Sequence, residues 1–344
     1  MKNERVKYID IINGIGIILV LLSITGSLSS ECNKVIQVLC PGIIYAGFGA
    51  LYSRKELRKM PIEKVIGKGF FSVFIPYIIS GLVVCATESI RILFINKDAS
   101  ANDLMDKLTA TFSLRGVYYL GFLSSFFIGI SLYTLIRKKC NLTITAIIAV
   151  AFIAYVIYIS SDMTIFVDTD NRMKNIVLGL CFTLLRSILG FAFITLGEIV
   201  DGISVKASKR KLLCAAVGIL LLISSIVMAT REQYLDTLFF VLGTKVWYFA
   251  ASITGVSAIL LIANWIGESR PLEYVGRHAK TIFIAFYIAG ILELQNMAQY
   301  RVFYKFDNHF ARRATAVIVT IALEAICILV CNAVFGNKDK DNKR

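Results

Sequence analysis

The sequence predicts an all-α fold, a polytopic integral membrane bundle of about ten transmembrane helices. Two observations support this prediction. Apolar residues make up 57% of the 344 residues and charged residues only 17%, and the mean hydropathy is +0.72, unlike a soluble domain. Apolar segments long enough to cross hydrocarbon recur along the whole chain. Helices are expected because a helix satisfies its own backbone N–H and C=O groups in lipid.

The predicted spans follow one another along a single transmembrane domain, 1–344, that ends in a short charged tail, 337–344. They lie near residues 9–29, 35–52, 69–90, 116–136, 142–160, 176–200, 212–230, 246–266, 279–295 and 314–335. The second span is the weakest, because Pro41 and three glycines lower its helix propensity. If any span is broken or re-entrant, this one is expected to be.

The distribution of Lys and Arg predicts the orientation of the chain. Ten spans place both termini on one side, which holds 23 of the 37 basic residues against 13 on the other side. Because basic loops stay in the cytoplasm, the sequence predicts a multi-pass protein of the cell membrane with both termini cytoplasmic. The net charge of +14 then lies mainly in short loops beside anionic headgroups. The lipid bilayer is therefore the expected partner, and nucleic acid is not.

The loop 53–68 is the most basic stretch, with six Lys or Arg in sixteen residues. It can contact lipid headgroups and fix the topology, or it can attract the phosphates of acyl coenzyme A; the first interpretation is favoured. No metal site is expected, because Cys327 and Cys331 lie one helical turn apart without a nearby His.

Ionisable residues at membrane depth are the candidate functional groups, because a charge at a helix centre costs about 2.5–3.5 kcal/mol on insertion scales. Arg186 lies near the middle of the sixth span, and Glu324 lies at the same depth of the tenth. These opposite charges predict an ion pair, which either locks two helices together or belongs to a polar pocket for an anionic or hydroxyl-bearing ligand. Asp10, at the start of the first span, completes the candidate intramembrane site, although capping of that helix is the simpler explanation.

The first span also carries a family resemblance. The run Tyr8-Ile9-Asp10-Ile11, followed by Gly14 and by Thr25-Gly26, resembles the opening helix of the membrane acyltransferase-3 family. Other stretches resemble later parts of that family in the same order, namely Pro41 with Leu51–Lys55, Phe74–Tyr77, Val117–Leu120, Leu272–Gly276 and Thr281–Phe283. The order and spacing of these stretches cover nearly the whole chain, while no single one is specific.

The resemblance implies a ten-span enzyme that transfers an acyl group, commonly acetyl, to a cell-surface carbohydrate or its lipid-linked precursor. Acetyl coenzyme A, or another acyl coenzyme A, would be the donor substrate, and no bound cofactor is expected.

The catalytic residues of that family are replaced in this chain. Its first helix carries a basic residue and a His, and these positions correspond to Asn13 and Ile24. Two further histidine positions correspond to Leu39 and Phe286. An imidazole can take a proton from an acceptor hydroxyl near neutral pH, whereas these side chains cannot. The resemblance therefore leaves no confident catalytic residue.

The chain's histidines offer no replacement, because His278 and His309 are both predicted to lie in loops. Two classes of function stay open. One is an acyltransferase with an altered site. The other is a pseudoenzyme, a relative that binds or transports a ligand or serves as a scaffold. A secondary transporter is a third possibility, although no inverted repeat supports it.

Overall fold

The computed structural model describes residues 7–24, 30–54, 56–94, 101–117, 120–159, 172–206, 211–231, 244–288, 322, 325 and 326. Within these residues the chain forms α-helices and no β-strand. The predicted all-α class is therefore confirmed for the described part of the chain.

Eleven α-helices are described in chain order. They are α1 (Lys7–Ile24), α2 (Ser30–Arg54), α3 (Ile62–Gly69), α4 (Ile75–Phe94), α5 (Ala101–Phe112), α6 (Gly121–Lys139), α7 (Leu142–Ile159), α8 (Arg172–Lys206), α9 (Lys211–Thr230), α10 (Lys245–Ile266) and α11 (Arg270–Ile288). A short 3₁₀ turn, Glu56–Arg58, precedes α3, and a π-helical turn, Phe70–Phe74, joins α3 to α4. Residues 62–94 thus form one uninterrupted helical segment.

Six helical segments of the described residues are long and apolar enough to cross a membrane. They are Glu31–Ser53, Ile62–Thr87, Leu142–Ile159, Met173–Lys206, Leu212–Thr230 and Lys245–Ile266, and they coincide with the second, third, fifth, sixth, seventh and eighth predicted spans. Helices α1, α6 and α11 form over the first, fourth and ninth predicted spans but are not among the six. The count of ten therefore stays a prediction.

The second predicted span is not broken: α2 runs without interruption through Pro41. Its glycines are sites of close helix packing, and this packing offsets their low helix propensity. A side chain at Gly49 would overlap the backbone of Ile194 in α8, and a side chain at Gly197 would overlap the backbone of Ala46 in α2. Helix α2 also packs against α1, α9 and α10, which places it at the centre of the bundle.

The interruption lies instead between α5 and α6, where the fourth span was predicted to begin. Leu114 has a φ of 61° and Gly116 a φ of 79°, and the left-handed backbone at these residues ends the helical path. Helix α6 starts only at Gly121. The hydroxyl of Tyr77 in α4 donates a hydrogen bond to the carbonyl of Thr111 at 2.7 Å, so the end of α5 is held inside the bundle.

Helix α1 is held between α2 and α11 by small residues. A side chain at Gly14 would overlap the carbonyl of Leu272, and one at Gly276 would overlap the carbonyl of Asp10. Such close backbone approach is typical of small residues at the interfaces of membrane helices.

Candidate functional site

Arg186 lies in the interior of α8, beside the interruption between α5 and α6. Its Nη1 atom is 2.9 Å from the position that a Cβ on Gly121 would occupy, and the carbonyl oxygen of Arg115 overlaps the same position. Because α6 begins at Gly121, the guanidinium lies at the N-terminal end of that helix. Leu120, the residue before α6, supplies no side-chain hydrogen bond to the first N–H groups of the helix.

Two buried tyrosines lie within electrostatic range of Arg186, Tyr45 of α2 and Tyr77 of α4. The hydroxyl of Tyr45 donates to the Oγ of Ser125 in α6 at 3.0 Å. Four helices, α2, α4, α6 and α8, therefore contribute groups to this region. A cation and a helix N-terminus in one place both favour a negative charge.

A second polar cluster lies towards the C-terminal end of α8, around Glu198. Arg137 of α6 donates to both oxygens of this carboxylate, from Nε to Oε2 at 2.9 Å and from Nη2 to Oε1 at 3.0 Å. The hydroxyl of Tyr133 also donates to Oε2, and Nη1 of Arg137 donates to the carbonyl of Cys140 at 3.0 Å. The two charged side chains are only 4% and 5% exposed. The pair is bidentate and buried, the form in which an ion pair is fully hydrogen-bonded.

The next turn of α8 carries a second buried carboxylate, Asp201. It accepts hydrogen bonds from the hydroxyl of Tyr8 in α1 and from the hydroxyl of Ser53 in α2. Three helices therefore meet at this one side chain, which is 2% exposed.

Tyr52 lies beside the Glu198 cluster but does not join its hydrogen bonds. Its ring contacts the ring of Tyr133 edge to face, at 5.2 Å between centroids, and its hydroxyl interacts electrostatically with Glu198 and Arg137. Within the described part of the chain, this buried hydroxyl has no hydrogen-bond partner. A buried hydroxyl in this state costs free energy.

The sequence positions of Glu198 and Arg137 do not indicate this cluster. Glu198 lies near the end of the sixth predicted span and Arg137 directly after the fourth, where a charged side chain can reach the membrane interface. The structure buries both, because the carboxylate at the end of a long helix faces α6 rather than lipid. One signal in the sequence could have revealed the cluster: Tyr133 and Arg137 are spaced one helical turn apart and lie on the same face of α6.

The predicted site residues lie in different helix contacts. Asp10 lies in the first turn of α1, where a carboxylate is favoured by the helix dipole, and it is buried where α1 contacts α11. Arg186 lies against α6. Glu324 lies outside the described residues, so its pairing with Arg186 stays a prediction.

Two of the four positions that correspond to the family's catalytic residues, Asn13 and Leu39, hold side chains that pack between helices. Oδ1 of Asn13 is 2.9 Å from the Cβ position of Gly47, between α1 and α2. Leu39 is buried against Gly255 of α10. Ile24 is the last residue of α1 and Phe286 lies in the last turn of α11; their side chains lie outside the described residues.

His278 does not lie in a loop, as the sequence suggested, but in α11. The helix begins nine residues earlier than the predicted span, because the stretch 270–280 is amphipathic rather than irregular. Nδ1 of His278 is 2.8 Å from the carbonyl oxygen of Tyr274. His309 lies outside the described residues.

Comparison with known proteins gives no relative: the chain matches no protein-family model, no curated protein and no solved structure. The likeness to the acyltransferase-3 family therefore rests on the sequence stretches alone.

Proposed function

We propose that this chain is a ten-span membrane protein of acyltransferase-3 type in which Arg186 binds an anionic ligand inside the membrane. The observation that carries the proposal is the position of the Arg186 guanidinium at the N-terminal end of α6, beside the interruption of the chain. A charge at membrane depth is costly and usually functional. The N-terminus of α6 and the neighbouring guanidinium both favour a negatively charged group.

The ligand class follows from the family resemblance together with this geometry. Acyl coenzyme A and a lipid-linked glycan precursor both carry phosphate groups, for which a guanidinium is a bidentate partner. The O–H groups of Tyr45 and Tyr77 near the same cation already donate to Ser125 and to the carbonyl of Thr111, so the guanidinium itself is the expected contact to phosphate. We therefore expect a phosphate-bearing ligand, with binding rather than acyl transfer as the retained activity.

The two buried carboxylates of α8, Glu198 and Asp201, support a binding role over catalysis. A general base must be free to accept a proton from the acceptor hydroxyl. Both oxygens of Glu198 are held by Arg137, and both oxygens of Asp201 accept hydrogen bonds from Tyr8 and Ser53. Neither group has the freedom that proton abstraction requires.

One observation favours acyl transfer as a second candidate function. When Nδ1 of His278 donates its proton to the carbonyl of Tyr274, Nε2 carries the lone pair, as it does in imidazoles that act as bases. Helix α11, which carries His278, packs against α1, the helix that holds the catalytic His of the resembled family. His278 would then replace the imidazole missing at Ile24.

Calorimetry with acetyl coenzyme A on the purified protein in detergent tests the first proposal. Arg186→Gln should weaken binding at least tenfold, whereas Arg186→Lys should retain part of it, because the cation remains. The matched control is Arg231→Gln, which removes an exposed cation that stacks on Trp247, 5.9 Å from the ring centroid. Equal affinity of the Arg186→Gln and unmodified proteins would refute the site.

Release of free coenzyme A in the same preparation separates the two candidates. No release above the rate without protein is expected for a binding protein. Turnover by the unmodified chain that His278→Gln abolishes would instead establish the acyltransferase.

A further inference from the structure

The helical segment 62–94 exposes one face along most of its length. This face begins with two exposed lysines, Lys64 and Lys68. It continues into large apolar side chains with exposed fractions of 74%, 53%, 43% and 55% at Phe71, Ile79, Leu82 and Ile90. The spacing of three to four residues, with two wider steps of eight, keeps all of them on one side of the helix. Val65, Val73, Tyr77 and Val84 lie away from this face and are buried.

The apolar part of this face locates the lysines relative to the membrane. Ile62–Thr87 is one of the segments apolar enough to cross a membrane, so its exposed side chains from Phe71 onwards lie against lipid tails. Lys64 is seven residues before Phe71, which is about 10 Å along the helix axis. That distance places Lys64 and Lys68 in the headgroup layer, directed to the same lipids that contact the apolar face.

Two more exposed cations, Arg58 and Lys59, lie in the turn before α3. Lys138 at the end of α6 fixes this turn, because its Nζ donates to the carbonyls of Arg58 and of Met60, the latter at 2.6 Å. Glu63 is also exposed, but it is one residue before Lys64, which is about 100° around the helix, and so it points away from the lysine face. The patch therefore presents four cations on a fixed backbone.

We propose that Arg58, Lys59, Lys64 and Lys68 form a binding site for the headgroup of an anionic phospholipid. The cations complement the negative headgroup, and Phe71 and the residues after it contact the acyl chains of the same molecule. This continuity with the apolar face distinguishes a lipid from a free phosphate, which would gain nothing from the apolar side chains. The site is independent of Arg186, which lies on another helix.

The test is a titration of the purified full-length protein in neutral detergent, with bound lipid counted by native mass spectrometry. Short-chain phosphatidylglycerol, short-chain phosphatidylcholine and inorganic pyrophosphate are the three probes. Phosphatidylglycerol should bind at least tenfold more tightly than phosphatidylcholine. The variant Lys64→Gln/Lys68→Gln should weaken phosphatidylglycerol binding about 25-fold, since each cation near an anionic surface is worth about fivefold in affinity.

Two variants serve as controls. Lys206→Gln/Arg270→Gln removes two exposed cations at the ends of other helices and should change the affinity less than twofold. Lys64→Arg/Lys68→Arg keeps both charges and should retain binding. Equal binding of the two lipids, or an equal loss in the control pair, overturns the proposal. Pyrophosphate binding that matches phosphatidylglycerol and is lost with Lys64 and Lys68 also overturns it, in favour of a free phosphate site.

Discussion

The two halves of α8 each carry a charge inside an apolar helix, but they hold it differently. Towards the C-terminal end, Glu198 is engaged at both oxygens by Arg137 and receives a further hydrogen bond from Tyr133. In the middle, Arg186 lies beside an interrupted backbone, the start of α6, and the hydroxyl-bearing rings of Tyr45 and Tyr77. The Glu198 pair joins α8 to the last turn of α6, whereas Arg186 lies where α6 begins.

On the proposed function, this difference separates a charge that stabilises the fold from a charge that binds a ligand. A buried ion pair with complete hydrogen bonding has no capacity left for a ligand, so its role is to hold α6 against α8. A cation at a helix N-terminus favours the binding of an anion, because the helix dipole and the guanidinium both attract negative charge. Mutations in the C-terminal half should therefore act mainly on stability, and mutations at Arg186 mainly on binding.

The largest effect is expected from Arg137→Gln. It leaves the Glu198 carboxylate buried without its cation, which costs about 3–5 kcal/mol. Thermal unfolding of the protein in detergent, followed by size-exclusion chromatography, should show a strongly lowered melting temperature or loss of the monodisperse peak. The double variant Arg137→Met/Glu198→Leu removes both charges and should recover most of the loss. If the double variant is as unstable as the single one, the unpaired Glu198 carboxylate is not the cause of the instability.

The second effect concerns the close contact between α2 and α8 at Gly197, one residue before Glu198. Gly197→Ala places a methyl group on the backbone of Ala46 and should cost about 1–3 kcal/mol through overpacking. Gly202 in the same helix has no atom within 4 Å of its Cβ position, so Gly202→Ala should stabilise the helix by about 0.5–1 kcal/mol. Melting temperatures that fall together would contradict the close approach at Gly197.

The third effect compares two neighbouring tyrosines. Tyr133→Phe removes a hydrogen bond to the charged Glu198 and should cost about 1.5 kcal/mol. Tyr52→Phe removes a buried hydroxyl that has no partner in the described part of the chain and should be neutral or stabilising. Thermal unfolding of both variants checks the contrast. A loss at Tyr52 equal to that at Tyr133 would show that its hydroxyl is engaged in the folded protein.

The fourth effect tests the other half of α8. Arg186→Gln should cost less than about 1 kcal/mol, because the amide keeps a hydrogen-bond donor on the side chain, while the binding of acetyl coenzyme A should weaken at least tenfold. The measurement is the melting temperature alongside the calorimetric titration. A destabilisation as large as that of Arg137→Gln would indicate a structural ion pair, such as the predicted one with Glu324, and would remove the contrast between the two halves.

The sequence predicted the helical class and six of the spans, because length and hydropathy are local properties of a segment. It misplaced the interruption, since the glycines of α2 lower helix propensity but serve close packing, whereas the left-handed residues Leu114 and Gly116 carry no comparable signal. It also missed the pairing of Arg137 with Glu198. That pairing depends on which faces of α6 and α8 meet, and one sequence does not encode this locally.

The smallest effect belongs to an exposed ion pair, the surface counterpart of Arg137 and Glu198. Lys7 at the start of α1 and Glu268 between α10 and α11 lie 2.6 Å apart, and their side chains are 53% and 74% exposed. The hydrogen bond and the charge of Glu268 raise the pKa of Lys7 above its usual 10.5. The hydrogen bond and the charge of Lys7 lower the pKa of Glu268 below its usual 4.5.

The two shifts define a pH window for the variant Lys7→Gln. The contribution of Glu268 is present above the carboxyl's usual pKa and is lost as the pH falls through the lowered value, while that of Lys7 is lost as the pH rises through the raised value. Melting temperatures of the unmodified protein and Lys7→Gln should therefore differ slightly between about pH 5 and pH 10, and converge outside that range. A difference that grows in acid would mean that Lys7 acts on another group. Salt should remove the small difference while leaving the Arg137→Gln loss intact, because solvent ions screen an exposed pair and not a buried one.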